Sequence, residues 1–139
     1  MCIRDSFTAN QDVEGERMAI YHTNVMMCVA DTFVVICLDT IDDEAEREHV
    51  LEALTETGKE IIEITEAQKH RFAGNMLQVM GDKPYLVMSN SAYSSLTEEQ
   101  KIDIEKHCPI LYSSLDTIEA CGGGSARCMM AEIFLPKQK

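Results

Sequence analysis

The chain has 139 residues, 45% of them hydrophobic, and a formal net charge of −12. That length suits one domain with a real core, and the composition excludes wholesale disorder. The acidic balance argues against nucleic acid and anionic membrane surfaces as partners, since both need clustered Lys and Arg.

No apolar run approaches the roughly 20 residues of a membrane-spanning helix, and the opening residues do not read as a secretory leader. Six cysteines stand at positions 2, 28, 37, 108, 121 and 128 without a CxxC pair. Reduced thiols in a cytoplasmic protein are therefore expected. In chain order, MCIRDS (1–6) is out of character with the rest of the chain and reads as a cloning or assembly scar. Residues 7–17 are polar and irregular, as though the chain were entered in mid-protein. The domain proper is expected over 7–136, with 137–139 as a tail.

YHTNVMMCV (21–29) and DTFVVICLD (31–39) are apolar, β-branched-rich runs and predict paired strands. DDEAEREHVLEALTETG predicts a helix, with Ala45, Val50, Leu51 and Leu54 near one face and Gly58 as its stop. EIIEIT (60–65) predicts a strand. TEAQKHRF predicts a short helix capped by Thr65. The pattern then returns. AGNMLQVM (73–80) and YLVMS (85–89) predict strands around a GDKP turn, and SLTEEQKIDIEKH (95–107) predicts a helix capped by Thr97 and ended by Pro109. PILYSS predicts the next strand. This is ββαβ twice, at a period of roughly 50 residues, within an α/β fold. DTIEACGGGSARCMMAEIFLP adds a short turn or helix and a closing strand.

The chemistry concentrates in CGGGSARCMM. A cysteine reacts as its thiolate, and an ordinary thiol pKa near about 8.5 leaves little of it at neutral pH. Consecutive glycines can turn their N–H groups inward as an anion nest, and Arg127 brings a cation next in sequence to Cys128. The competing reading is a buried structural thiol beside a flexible loop. Cys121 reads as structural, and Cys28 and Cys37 as core. His49, His70 and His107 sit among charges on helices or helix ends and read as surface residues. His22 opens a strand beside Thr23 and Asn24, the placement a Cys/His enzyme would use. A zinc site from Cys121, Cys128 and His22 fits no ligand spacing, and GGGSAR lacks the GK[ST] of a phosphate loop.

YHTNVMM, FAGNML and IEACGGGSARCMMAEIFLP together resemble the C-terminal half of the amidinotransferase and arginine deiminase-related enzymes, closest to the citrulline-utilisation hydrolases. The likeness runs from about Phe7 to Pro136. It implies a pentein, a propeller of five ββαβ units, of which this chain would hold about two plus the closing strand. It implies Cys128 as nucleophile and His22 as general acid/base. It further places Asn24, Gly123, Gly124, Ser125, Arg127 and Asn75 at the substrate, with Gly74 also matching. The implied activity is hydrolysis of C–N bonds in citrulline- or arginine-like ureido or guanidino compounds through a covalent thio-intermediate. Neither cofactor nor metal is implied, and the partner is a small-molecule substrate. An amidino-group transferase is the alternative. A non-catalytic pentein that binds a ribosomal subunit is a third reading, which would not need the Cys/His pair.

Two departures matter. Arginine-processing relatives carry an aspartate in the third position of H-x-D, where this chain has Asn24. A neutral ureido group suits an amide, whereas a guanidinium suits a carboxylate. A complete member is also about twice this length, so the other acidic pocket residues are expected outside the chain. The chain alone is expected to be weakly active or inactive and, with open sheet edges, poorly stable.

Overall fold

The computed structural model describes residues 6–133 and begins with an antiparallel hairpin, β1 (Asn10–Val13) and β2 (Glu16–Ala19). Its turn residues Glu14 and Gly15 both have positive φ, 53° and 87°, the geometry that matches the twist of a two-residue hairpin loop. The expectation of irregular chain over 7–17 is corrected here. The hairpin was hidden because charge, rather than alternating apolar residues, fastens it. The Arg17 guanidinium donates to Asp42 Oδ1 at 2.5 Å, to Glu66 Oε1 at 3.0 Å and to the Asp39 carbonyl at 2.9 Å.

This latch yields a pH-dependent prediction. The Asp42 carboxyl is held below its ordinary value by the hydrogen bond from Arg17 and then by the one from Asn10. A lowered native pKa contributes stability above the unfolded value of about 4, which is lost as pH falls through the native value. Hydrogen exchange at the amides of Asn10–Ala19 is expected to quicken on acidification below that range, in molar salt, and in Arg17→Ala. Unchanged exchange in the variant would show that the ion pairs do not hold the hairpin.

The next unit is β3 (Met27–Val29), β4 (Phe33–Ile36), α1 (Glu44–Glu56) and β5 (Glu60–Glu63). β4 pairs antiparallel with β3 and parallel with β5. All four residues of β4 are fully buried. Their alternation splits them between two cores. Phe33 and Val35 join Cys28, Met76, Leu86 and Ile104, while Val34 and Ile36 join Met26, Ile41 and Val50. A strand buried on both faces reads as a continuous apolar run, as FVVI does. Asp43, whose carboxylate accepts the Glu46 N–H at 2.9 Å, caps α1.

After α2 (Glu66–Lys69) the second unit repeats the pattern with β6 (Leu77–Met80), β7 (Pro84–Ser89), α3 (Asn90–Ser95), α4 (Glu98–Glu105) and β8 (Ile110–Ser113). β7 pairs antiparallel with β6 and parallel with β8, so both sheets have one order and sense. The doubled ββαβ expectation is met. Its crossover is two helices, because Ser89 caps α3 and Thr97 caps α4 after an extended Leu96. Thr65 and Thr97 head matching capping boxes with Gln68 and Gln100. The two glutamine amides also bond each other at 2.7 Å and reach the Ser95 and Glu63 carbonyls, joining the two units.

The ends of several elements differ from expectation. The strand predicted from residue 21 starts at Met27, because Thr23–Val25 forms one 3-10 turn. The strand predicted from residue 73 starts at Leu77. The final segment forms α5 (Asp116–Gly122), and Cys128 lies in a 3-10 turn over Arg127–Met129 rather than at the mouth of a strand. The remainder of the expected closing strand, at 134–136, lies outside the described residues. So do the tail at 137–139 and residues 1–5 of the suspected scar. Among the described residues the sheets do not close into a barrel or propeller.

His107 is corrected from surface to structural. Its ring stacks on Phe33 with centroids 4.9 Å apart, Nδ1 meets Thr32 Oγ1 at 2.9 Å and Nε2 meets Glu60 Oε2 at 3.1 Å. No described helix is long and apolar enough to cross a membrane.

Candidate active site

The histidine comes from the link between β2 and β3. Its backbone is extended, and its Nδ1 accepts the Asn24 N–H at 3.3 Å, which caps the 3-10 turn Thr23–Val25. That bond leaves Nε2 as the ring atom outside the cap.

The cysteine comes from the far end of the chain. α5 ends at Gly123 with φ +65°, a left-handed cap for which glycine carries no Cβ penalty. Gly124 then passes close to the thiol. A Cβ built on it would lie 3.0 Å from Cys128 Cβ and 3.1 Å from Sγ. Ser125 is fully buried and donates to Glu119 Oε1 at 2.5 Å, tying the loop back to α5. The Cys128 N–H donates to the Ser125 carbonyl at 3.1 Å.

A third segment joins these two. Asn75 is 4% exposed and sits between α2 and β6. Its Nδ2 donates to the Asn24 carbonyl at 3.1 Å and to Cys128 Sγ at 3.2 Å, and its Oδ1 accepts the Arg127 N–H at 3.1 Å. Asn24 Nδ2 also approaches Sγ, at 3.7 Å. Gly74 makes the junction possible: a Cβ there would stand 2.6 Å from the Val25 carbonyl oxygen.

His22, Asn24, Asn75, Gly123, Gly124 and Cys128 all line one cleft with a volume of about 380 Å³. Ser125 and Arg127 do not line it. The Arg127 guanidinium instead reaches the Met27 carbonyl at 3.4 Å. Six further lining residues were not foreseen: Gln11, Tyr21, Val25, Lys69, His70 and Phe72. Lys69 and His70 close the short helix α2, so the T-x-x-Q box at Thr65 was the available signal for their place. Phe72 has φ +65°, a left-handed bulky residue that nothing in the sequence announces.

Electrostatically the cleft inverts the chain. None of its described lining residues is acidic, whereas 24 Asp and Glu occur in the sequence. Lys69 supplies a cation. Its side chain is almost fully buried, Nζ donates to Gln11 Oε1 at 2.7 Å and lies 3.8 Å from Glu66 Oε1. Burial pulls its pKa below the ordinary lysine value, opposed by Glu66. Away from the cleft, burial pushes the Cys28 thiol up to about 12 and the Cys37 thiol to about 11, and raises Cys108 as well. Those three are inert core thiols, while Cys121 and Cys128 are exposed.

Residues 6–135 match the sequence model of the family described as N,N dimethylarginine dimethylhydrolase, eukaryotic. No curated protein matches the chain. In three dimensions it is similar to apo ArgZ, an arginine dihydrolase of the ornithine–ammonia cycle in cyanobacteria, with a TM-score of 0.59 and 17% identity. The alignment covers 78% of this chain and 15% of that one, and at this identity the likeness is one of fold. The expected kinship with guanidino-group-modifying penteins is thereby met. With nearly its whole length matched, the chain belongs to the N,N dimethylarginine dimethylhydrolase family, eukaryotic type.

Proposed function

We propose that the chain carries the nucleophile and the general acid/base of a hydrolase that cleaves a C–N bond in a ureido or guanidino compound. The observation that supports this most is the convergence of Cys128 and His22, from opposite ends of the sequence, on one cleft. Cys128 Sγ attacks the central carbon as the thiolate. The tetrahedral adduct collapses, the C–N bond breaks, and the departing amine takes a proton from His22. A covalent thio-intermediate is left on Cys128. His22 then accepts a proton from water, whose oxygen attacks the same carbon, and the thiolate is released. The Asn24 amide, 3.7 Å from Sγ, lies within reach of the oxygen of a carbon bonded to that sulfur.

Within this class the described lining favours a ureido substrate. A cationic guanidinium calls for a carboxylate, and the lining offers amides, histidines and Lys69 instead. The Lys69 ammonium suits a carboxylate on the substrate's other end. The names of the relatives favour a second reading, an arginine derivative, with its carboxylate partner supplied from beyond this chain.

The test takes the longest natural chain that carries these residues. It is incubated with citrulline, arginine and N,N-dimethylarginine, and ornithine, citrulline, ammonia and dimethylamine are assayed beside Cys128→Ser. Ornithine from citrulline, lost in the variant, is expected. Citrulline from either arginine compound would place the substrate in the guanidino class. A product that forms only with an added amine would make the enzyme a transferase. Turnover that persists in Cys128→Ser would remove Cys128 as nucleophile.

A further inference from the structure

The Asn75 side chain makes three contacts, and they fix its orientation. Oδ1 must face the Arg127 N–H, because that group can only donate. Turning the amide over would set Oδ1 against the Asn24 carbonyl and the sulfur, and Nδ2 against the Arg127 N–H. Nδ2 is therefore held toward Cys128 Sγ at 3.2 Å, with its second hydrogen on the Asn24 carbonyl at 3.1 Å. Both donors are taken within the protein and the residue is 4% exposed. No N–H of this side chain is left for a substrate.

A fixed donor distinguishes the two states of a sulfur. A thiolate accepts strongly and a neutral thiol accepts weakly. The cation next in sequence points elsewhere: the Arg127 guanidinium reaches the Met27 carbonyl and does not line the cleft. The sulfur's polar contacts among the described side chains are two amides, Asn75 close and Asn24 farther. We propose that Asn75 is the positioning residue of this site: its amide holds Cys128 Sγ in place, favours the thiolate, and locks the cysteine turn to the histidine turn through the Asn24 carbonyl. This role goes beyond the choice of substrate and holds whether the substrate is a ureide, a guanidine or something else.

The test needs no substrate. The 139-residue chain is treated with iodoacetamide over a range of pH, and labelling is read by mass spectrometry. Trypsin cuts after Arg127, so Cys121 and Cys128 fall on separate peptides. Cys121, also exposed, is the internal reference. In the wild type Cys128 is expected to label several times faster than Cys121 at neutral pH, because only its sulfur has a fixed amide donor, Asn75 Nδ2 at 3.2 Å. Asn75→Ala is expected to remove that advantage and move the Cys128 pH–rate profile to higher pH. Asn75→Asp keeps the acceptor for Arg127 but sets a carboxylate beside the sulfur, and should move the profile further. A merely structural Asn75 would tolerate Asn75→Asp with its profile in place, which would overturn the proposal. Labelling of Cys28 reports loss of the fold in either variant. Should both unfold, the wild type still decides: Cys128 slower than or equal to Cys121 at neutral pH overturns the proposal.

Discussion

Gly124→Ala is expected to leave the protein folded and to silence Cys128. The new methyl would meet Cys128 Cβ at 3.0 Å and Sγ at 3.1 Å, a few tenths of an ångström inside ordinary van der Waals contact. Rotation about the Cα–Cβ bond can carry Sγ away but not Cβ, so the loop between Gly124 and Cys128 must also give by a few tenths of an ångström. Stability should change by less than about 1 kcal/mol, as for a surface loop. A displaced sulfur loses its 3.2 Å contact with Asn75 Nδ2 and its place in the cleft. Misplacement by about 1 Å commonly costs on the order of a hundredfold in rate. Urea denaturation and the rate of Cys128 alkylation at neutral pH measure the two halves of this expectation. A wild-type alkylation rate would mean that the close approach of Gly124 does not control the thiol.

That variant also shows what could be read from the sequence and what could not. CGGGSARC announced a cysteine beside freed backbone, and the structure gives the last two glycines separate duties, a left-handed cap at Gly123 and a close approach at Gly124. The doubled ββαβ was legible because FVVI, EIIE and YLVMS carry strand residues and Thr97 announces its helix. The β1–β2 hairpin was illegible because its attachment is ionic, through partners at Asp39, Asp42 and Glu66, far from Arg17 in sequence. The 3-10 turns under His22 and Cys128 were illegible for a similar reason. Apolar flanks such as VMMCV and MMAEIF read as strand, and the contacts that bend the chain away come from Asn75, more than fifty positions distant. Ser125 and Arg127 were placed at the substrate from the family likeness. Their side chains turn to Glu119 and Met27, which hold the loop in shape.

Gly74→Ala tests the joint between the His22 turn and the Cys128 turn, and its effect should fall on stability first. An added Cβ would lie 2.6 Å from the Val25 carbonyl oxygen, 2.8 Å from Met26 C and 3.0 Å from Met26 Cα. All three are backbone atoms at the exit of the His22 turn, and Met26, Ala73 and Met76 around them are fully buried. No side-chain rotation relieves such a contact, so the segments 23–26 and 73–76 must separate. Overpacking of this kind costs about 3 kcal/mol, at the upper end of the usual range. The urea midpoint should fall accordingly, with the slope unchanged if native and denatured surfaces are alike. Separation would also draw the Asn24 carbonyl off Asn75 Nδ2 and leave the two turns unregistered. The fraction of Gly74→Ala that stays folded at low temperature should then label Cys128 more slowly than wild type while sparing Cys28. A midpoint within about 0.5 kcal/mol of wild type would show that the two backbones part freely at this point. In that case Asn75 alone would have to keep His22 and Cys128 together, and the loss on replacing it should be the larger for it.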